Sequence, residues 1–507
     1  MSYLKPKELR QAAQLIKEVK FLKALKLLDE FGKNKVLLLE EKVSYFILKS
    51  SLLNYLLRGE EILNYAEKAY QDSQNIGASL QLLDVYIQMA MGLTYKYKSG
   101  EPFEFIGKAE VMLKMLTEEP QKELLERNAS IFDIKGWLYY DLDEKNKALE
   151  YAKRSLEIRL DLDLKADIGI SLWQIGWIYF KNDNDLALKY VDQCIDYCEG
   201  INYKLKSQQC YMLKGMIYSF KGELDQAIRC FKLSKTLFEE LPNELKYDYG
   251  NYGVLHLMGM VYLEKDELDK AKKCFEKALE IKEMVGANFS KVMTLDELIS
   301  LSVYKNDVKS AENYLKEIKE ISDNEKIGLL NLIYRINMAK LLKLSPIVSN
   351  QVKAEEMFKE ILNNVTDNEP KIVVLLNLTD ILLDKLFKTN NVKLLDEIQQ
   401  YINQVHDIAI DQKSHSLLAE THLLQAKVEL LTLDLEETQQ FLEKAKEIAK
   451  KYGLNQLLEK ILMEEGELVN QTSKWETLKN SKATIAELIN LSHVNDQLTR
   501  MIKKRFL

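Results

Sequence analysis

The 507-residue chain contains only 19 Gly and 6 Pro, while 47% of its residues are hydrophobic and 29% are charged. So few turn-forming residues exclude a strand-rich protein, and the hydrophobic content excludes a disordered one. The net charge of −7 excludes a globally basic nucleic-acid binder. No apolar run approaches the length of a transmembrane helix, and the first residues lack the apolar core of a secretory signal. The composition predicts an almost entirely helical, cytoplasmic protein.

A repeated pattern extends along the helical segments. A weak copy lies near the start, in FLKALKLLDEF, and the clearest copies lie between residues 129 and 285. Within them Gly136, Gly176, Gly215 and Gly259 recur about every 40 residues, and Tyr follows each by three residues. The next shared position holds Ala148, Ala187, Ala227 and Ala271. Weaker copies continue to Ala426, although residues 367–410 keep the helical period and little else.

This order of small residue, Tyr, Ala, aromatic residue and Ala resembles the tetratricopeptide repeat family in its long-repeat form. The best copy, GMVYLEKDELDKAKKCFEKALEI, starts at Gly259. The small residues let helices A and B of each hairpin approach closely, and the bulky ones fill the space beside them. The resemblance implies an all-α solenoid of about 11–12 hairpins, wound as a right-handed superhelix over residues 1–472. Left-handed turn residues are expected after the B helices, at Gly32, Gly77, Gly200, Gly286 and Gly453.

Residues 473–507 lack the A/B pattern and carry one amphipathic stripe, which predicts a C-terminal helix. Two roles are open for it. It caps the last apolar surface of the array, or it binds a partner or dimerises, with Lys503, Lys504 and Arg505 touching an acidic surface.

The sequence lacks a phosphate loop, HExxH, GxSxG and CxxC, so we expect neither an enzyme nor a cofactor site. Cys194 and Cys198 share a helix face and Cys210 follows, but the repeat places Cys194 in a small buried packing slot. We therefore predict no bound metal. His406, His415 and His422 are interpreted as neutral, half-buried side chains.

In this repeat family the A helices line a concave groove, and the groove-facing positions of this chain hold an aromatic and Met stripe. Its predicted partner-binding members are Trp137, Tyr140, Trp173, Trp177, Phe180, Met212, Met216, His256 and Met260, with Asp133 and Ile170 on the same positions. Two interpretations remain open: the stripe is internal packing, or it is an apolar groove for a peptide. The stripe lacks Lys, Arg and Asn, which argues against a clamp for a C-terminal carboxylate.

The function that these features favour is a non-catalytic scaffold or adaptor for protein–protein interactions. Its partner is a protein or peptide, bound as a peptide or amphipathic helix in the concave groove, and not a nucleic acid. The alternative is a peptide-sensing regulatory module that signals through a change of superhelix pitch or through a partner output protein. Because no output domain is visible in the sequence, the scaffold is favoured.

Overall fold

The computed structural model describes residues 2–33, 37–95, 100–180, 182–246, 248–284, 286–480 and 483–503. Helices make up 83% of the chain, and none of these residues lies in a strand, so the all-α prediction is confirmed. No helix in the described ranges has the length and apolarity needed to cross a membrane. The chain divides into two compact units: unit 1 is Met1–Ile217 with Arg229–Asn251, and unit 2 is Tyr218–Ile228 with Tyr252–Leu507.

Unit 1 is a stack of helical hairpins. Its helices are α1 (Lys7–Lys17), α2 (Phe21–Gly32), α3 (Leu39–Tyr55), α4 (Gly59–Asp72), α5 (Leu80–Thr94), α6 (Glu101–Met115), α7 (Gln121–Asp141), α8 (Lys145–Asp161), α9 (Lys165–Tyr179) and α10 (Asn184–Gly200). The division between the units falls within α11 (Lys204–Phe220) and α12 (Leu224–Glu239).

Unit 2 continues the same alternation. Its helices are α13 (Asp248–Glu264, beginning in unit 1), α14 (Leu268–Met284), α15 (Asn288–Tyr304), α16 (Val308–Glu325), α17 (Gly328–Leu344), α18 (Val348–Asn364), α19 (Asn368–Thr389), α20 (Leu394–Asp411), α21 (His415–Glu429), α22 (Leu435–Lys451), α23 (Asn455–Asn470), α24 (Thr472–Asn480), α25 (Ile485–Ser492) and α26 (Val494–Lys503). We call the odd-numbered members of α1–α21 A helices and the even-numbered members of α2–α22 B helices. These give eleven A/B pairs among the described residues.

In two hairpins a Gly on the A helix lies directly against a buried aromatic ring of the B helix. A Cβ placed on Gly215 of α11 would lie 2.5 Å from the Cε1 atom of Phe231, a ring that is fully buried on α12. In unit 2, Gly259 of α13 meets Phe275 of α14 at the same calculated distance. Each aromatic ring therefore fills the volume that a side chain on the facing helix would occupy.

We expect Gly215→Ala to destabilise the protein by about 1–3 kcal/mol, because the added methyl group overpacks the contact with Phe231. Gly107→Ala in α6 is the matched control, since a Cβ there meets no atom within 4 Å. The control should stabilise by about 0.5–1 kcal/mol, because Ala is the better helix former. Urea unfolding followed by circular dichroism measures both. Equal effects at the two sites would contradict the packing account.

The turn prediction is confirmed at two of five glycines. Gly286 and Gly453 have φ angles of 69° and 63°. The prediction is wrong at Gly32, Gly77 and Gly200, none of which has a positive φ, and Gly32 and Gly200 are the last residues of α2 and α10.

Other hairpin turns place an acidic or amide residue in the left-handed conformation. These are Asp143, Asp163, Asn202, Asp266 and Asn306, with φ between 52° and 61°. Asp and Asn adopt this conformation more readily than other residues with a Cβ, since their short polar side chains bond locally. The turns thus need no Gly, which explains why Gly alone is an incomplete guide to them.

His422 on α21 lies in the interior of unit 2. Its ring centroid is 5.1 Å from that of His406 and 5.9 Å from that of Phe441, and its Nδ1 atom is 2.9 Å from Oε1 of Gln425. Burial disfavours the imidazolium and lowers the pKa of His422 to about 4. The prediction of a neutral histidine agrees with this environment, whereas the predicted half-buried position is wrong for His422, which is buried.

Acid should therefore destabilise the protein through His422. As pH falls below about 6.5, the unfolded imidazole binds a proton that the folded one does not bind until about pH 4, so stability is lost across this range. We expect His422→Gln to reduce the difference in urea midpoint between pH 7 and pH 5. His493→Gln, at a half-exposed histidine of the same unit, is the control variant and should change this difference less than His422→Gln does. An unaltered difference in His422→Gln would refute the assignment.

Candidate functional site

Successive A helices of unit 1 form a surface that we call the A-helix face, and an aromatic ladder crosses it. Tyr140 and Trp137 of α7 have ring centroids 6.2 Å apart, and Trp137 is 5.6 Å from Trp173 of α9. Trp173 is 5.5 Å from Trp177, which is 6.2 Å from Phe180. Five of the residues predicted to form the groove are therefore in continuous ring contact.

The ladder is neither core nor fully open surface. Trp137, Tyr140, Trp173 and Trp177 are half-buried, whereas Phe180 is 6% exposed. The rings thus stabilise one another through tilted and edge contacts, and four of them keep part of their surface in solvent. The structure shows the packing between A helices that one interpretation expected, and peptide binding at the exposed parts of the rings stays a prediction.

Polar groups constrain the ladder. Burial raises the pKa of the Tyr140 hydroxyl. The Nε1 atom of Trp173 is buried without an acceptor among the described residues. The Nζ atom of Lys206 on α11 lies 4.7 Å from the Trp173 ring centroid and donates to Oε1 of Gln209 at 2.6 Å. Burial lowers the pKa of Lys206. Sequence reasoning missed Lys206 because it lies outside the stripe positions.

The remaining stripe residues differ in their surroundings. On α11 of unit 1, Met212 is buried at 5% exposure and Met216 is half-buried. Met260 and His256 belong to unit 2, where both are half-buried. The His256 ring lies 5.5 Å from that of Phe275, and its Nδ1 atom is 3.2 Å from Oγ1 of Thr294. His256 thus packs within its own unit.

Asp133 does not belong to an open surface. It is 2% exposed, and its Oδ1 atom accepts from Nη1 of Arg159 at 2.8 Å. The same nitrogen donates to Oγ of Ser171 at 2.6 Å, while the Tyr55 hydroxyl donates to Asp167 at 2.8 Å. The expectation that Asp133 faces the groove is wrong because Arg159, from the B helix α8, extends between the A helices and binds it.

A cavity of about 360 Å³ opens in the same face of unit 1, among α1, α3, α5, α7 and the start of α9. A buried ion pair lines it: Arg127 Nη2 donates to Asp84 Oδ2 at 2.7 Å, and the Tyr3 hydroxyl donates to the same oxygen at 2.8 Å. The Nε atom of Arg127 and the Oε1 atom of Gln88 are buried without partners among the described residues. This cavity adds polar groups to a face on which the sequence predicted mainly apolar ones.

Three cysteines meet between α10 and α11. The Sγ atom of Cys194 is 3.1 Å from that of Cys210 and 3.8 Å from that of Cys198, and all three residues are fully buried. Burial raises the pKa of the Cys194 thiol well above its ordinary value, which favours the protonated form over the thiolate that metals bind. Over the described parts of the chain, no group of His, Cys, Asp or Glu is arranged to hold a metal ion.

We therefore expect the purified protein to contain far less than one zinc or iron per chain by elemental analysis. The three clustered thiols should also resist Ellman's reagent in the folded protein and react in urea, since burial shields their sulfur atoms from the reagent. A metal content near one per chain, with the thiols protected from the reagent in urea until a chelator is added, would overturn this prediction.

Comparison with known proteins agrees with the hairpin architecture. The tetratricopeptide repeat family model matches residues 129–161, 208–240 and 252–283. The apo form of RapI is 14% identical, with a TM-score of 0.52 over 72% of this chain and 96% of that chain. A Rap protein complexed with competence and sporulation factor is 12% identical, with a TM-score of 0.49 over 75% and 99%. The apo quorum sensor NprR from B. thuringiensis is 14% identical, with a TM-score of 0.48 over 70% and 97%. Among curated proteins no sequence match reaches significance.

Proposed function

Because the chain carries tetratricopeptide repeats, we propose that it is a non-catalytic interaction protein, a scaffold or adaptor. In this proposal the A-helix face of unit 1 binds a peptide or amphipathic helix from a protein partner. The observation that carries the proposal is the aromatic ladder, in which four rings of α7 and α9 and the ring of Phe180, just after α9, touch in series. Four of the five remain partly exposed.

The chemistry of the ladder suits an apolar ligand. Indole and phenol rings offer large contact areas with few rotatable bonds, so ordering them on binding costs little conformational entropy. Ring contacts already hold the side chains in place, which further reduces that cost. Trp and Tyr are also the residues that most often dominate binding energy at interfaces.

The polar cavity extends the same face. α7 and α9 contribute residues both to the ladder and to the cavity of about 360 Å³. A bound peptide presents apolar side chains and backbone amides together, and this face offers rings for the first and hydrogen-bonding groups for the second. The arrangement therefore favours an extended or helical peptide over a compact small molecule.

We expect Trp177→Ala to weaken partner binding about thirtyfold, the effect of removing an interface anchor of about 2 kcal/mol. The matched control is Tyr179→Ala on the same helix, which removes a ring that stacks on Tyr190 of α10 at 5.7 Å, away from the ladder. The partner is first captured from the native cell with the wild-type protein and identified by mass spectrometry. Its affinity for each variant is then measured at equal concentrations of folded protein.

Circular dichroism melting separates binding from folding. Trp177→Ala should lower the melting temperature no more than Tyr179→Ala does, because both rings are half-buried. If Trp177→Ala instead destabilises the protein by the 3–5 kcal/mol typical of a lost core aromatic, and the folded fraction binds normally, the ladder is structural. The proposed site would then be wrong.

A further inference from the structure

The C-terminal segment of unit 2 folds back along the unit instead of forming one helix. The predicted amphipathic stripe is divided between α25 and α26 at His493, which has a left-handed φ of 52°. After this break α26 packs on the A helices α19 and α21, and α25 packs on α19. Lys504 and Arg505, predicted to touch an acidic surface, lie outside the described residues, as does the Lys503 side chain.

α26 buries the apolar side of a short amphipathic helix. Val494, Leu498 and Met501 follow the i, i+4, i+7 spacing of a single helix face, and each is 1% exposed or less. They join the hydrophobic cluster that also contains Leu417 and Leu424 of α21. The contact is therefore a helix seated on the surface of the A helices by three apolar anchors.

A buried carboxylate fixes the polar side of the same helix. Glu420 of α21 is fully buried, and its two carboxylate oxygens accept from Nε2 of Gln497 at 2.7 Å and from Nη2 of Arg500 at 2.9 Å. Lys427 of α21 donates to the backbone carbonyl of Ser492 at 3.0 Å, at the end of α25. A buried carboxylate that meets a basic residue gives the contact specificity for charge as well as for shape.

The C-terminal segment contacts a position of α21 that is equivalent to a ladder position of unit 1. Lys427 follows Ala426 in the sequence as Trp177 follows Gly176, and Ala426 and Gly176 are the matching small residues of their A helices. Glu420 precedes Ala426 by six residues, as Ile170 precedes Gly176. In unit 2, then, these positions contact the chain's own C-terminal segment.

The surface extends beyond the end of that helix. A cavity of about 370 Å³ begins beside Met501 and Ile502 and continues across α19, α17 and α15. Ile333 and Ile336 of α17 form part of its apolar wall, and Lys340 supplies a polar group. α26 therefore fills only one part of a longer apolar groove.

We propose that the surface formed by the A helices α17, α19 and α21 of unit 2 is a docking groove for an amphipathic helix of a partner protein. In this proposal α26 of the same chain occupies the groove. The partner helix carries apolar residues at i, i+4 and i+7 and a basic residue that pairs with Glu420, the pattern that α26 displays. Being longer, it also fills the cavity beyond Met501. The proposal is independent of the ladder in unit 1, because every group in it belongs to unit 2.

Two physical effects allow a partner helix to displace α26 from the groove. A helix of only ten residues is marginal by itself, so the order of α26 depends on the groove. Because α26 is joined covalently to its binding surface, its effective concentration there is roughly millimolar. A separate helix of the same affinity therefore competes with it poorly. A partner helix that buries additional apolar surface in the cavity gains the affinity needed to displace it.

The test uses the full-length protein and a fluorescent synthetic peptide of residues 484–503 as the probe. In Leu498→Ala the tail loses one anchor while the groove is intact, so the peptide should bind at least about tenfold more tightly than it binds the wild-type protein. Adding Glu420→Gln to that variant should weaken peptide binding about tenfold, because the ion pair with Arg500 of the peptide is lost. Met463→Ala, at a 68%-exposed residue of α23, should bind the peptide like wild type.

If Leu498→Ala does not fold, Arg500→Ala replaces it in the experiment. Arg500 is partly exposed, so this substitution removes only the ion pair between the tail and Glu420. If a folded tail variant takes up no peptide, the tail is a fixed structural element and the proposal is wrong. If light scattering shows that the wild-type protein is a dimer which the peptide dissociates, α26 is exchanged between copies and occupation in cis is refuted.

Discussion

The close approach of the two helices in each hairpin is the constraint on which the rest of the structure depends. Gly215 and Gly259 leave no room for a side chain, and Phe231 and Phe275 occupy the space beside them. This contact sets which side of each A helix meets its B helix. The opposite side is thereby left to meet the neighbouring A helices, and both candidate binding surfaces lie there.

The two units use this side differently. In unit 1 the A helices contact one another through aromatic rings, and Arg159 reaches from a B helix to bind Asp133. In unit 2 the position equivalent to Trp177 holds Lys427 and the position equivalent to Ile170 holds Glu420, and a C-terminal segment contacts both. One repeat geometry thus supports either a ring surface or a helix–helix contact, and the side chains at a few positions decide which.

The hairpins and the residues of the ladder were predictable because both follow local periodicity. Small residues, Tyr and Ala at fixed intervals imply helix packing wherever they recur. Contacts between distant segments were not predictable in this way. The long Arg159 side chain buries Asp133, Lys206 approaches Trp173 from a helix beyond the ladder, and His493 breaks an amphipathic pattern that is continuous in the sequence. Each depends on tertiary geometry that the repeat pattern does not encode.

The left-handed turns have a consequence for the unfolded chain. Asp143, Asp163, Asn202, Asp266 and Asn306 adopt a conformation that Gly reaches at no steric cost. A residue with a Cβ samples fewer backbone states when unfolded, so folding such a turn loses less entropy than folding a Gly turn. Because such residues recur along the stack, the unfolded chain samples fewer backbone conformations at the turns between helices. At a positive φ the strain of a Cβ opposes this entropic gain, and for a side chain such as Ala the strain exceeds the gain.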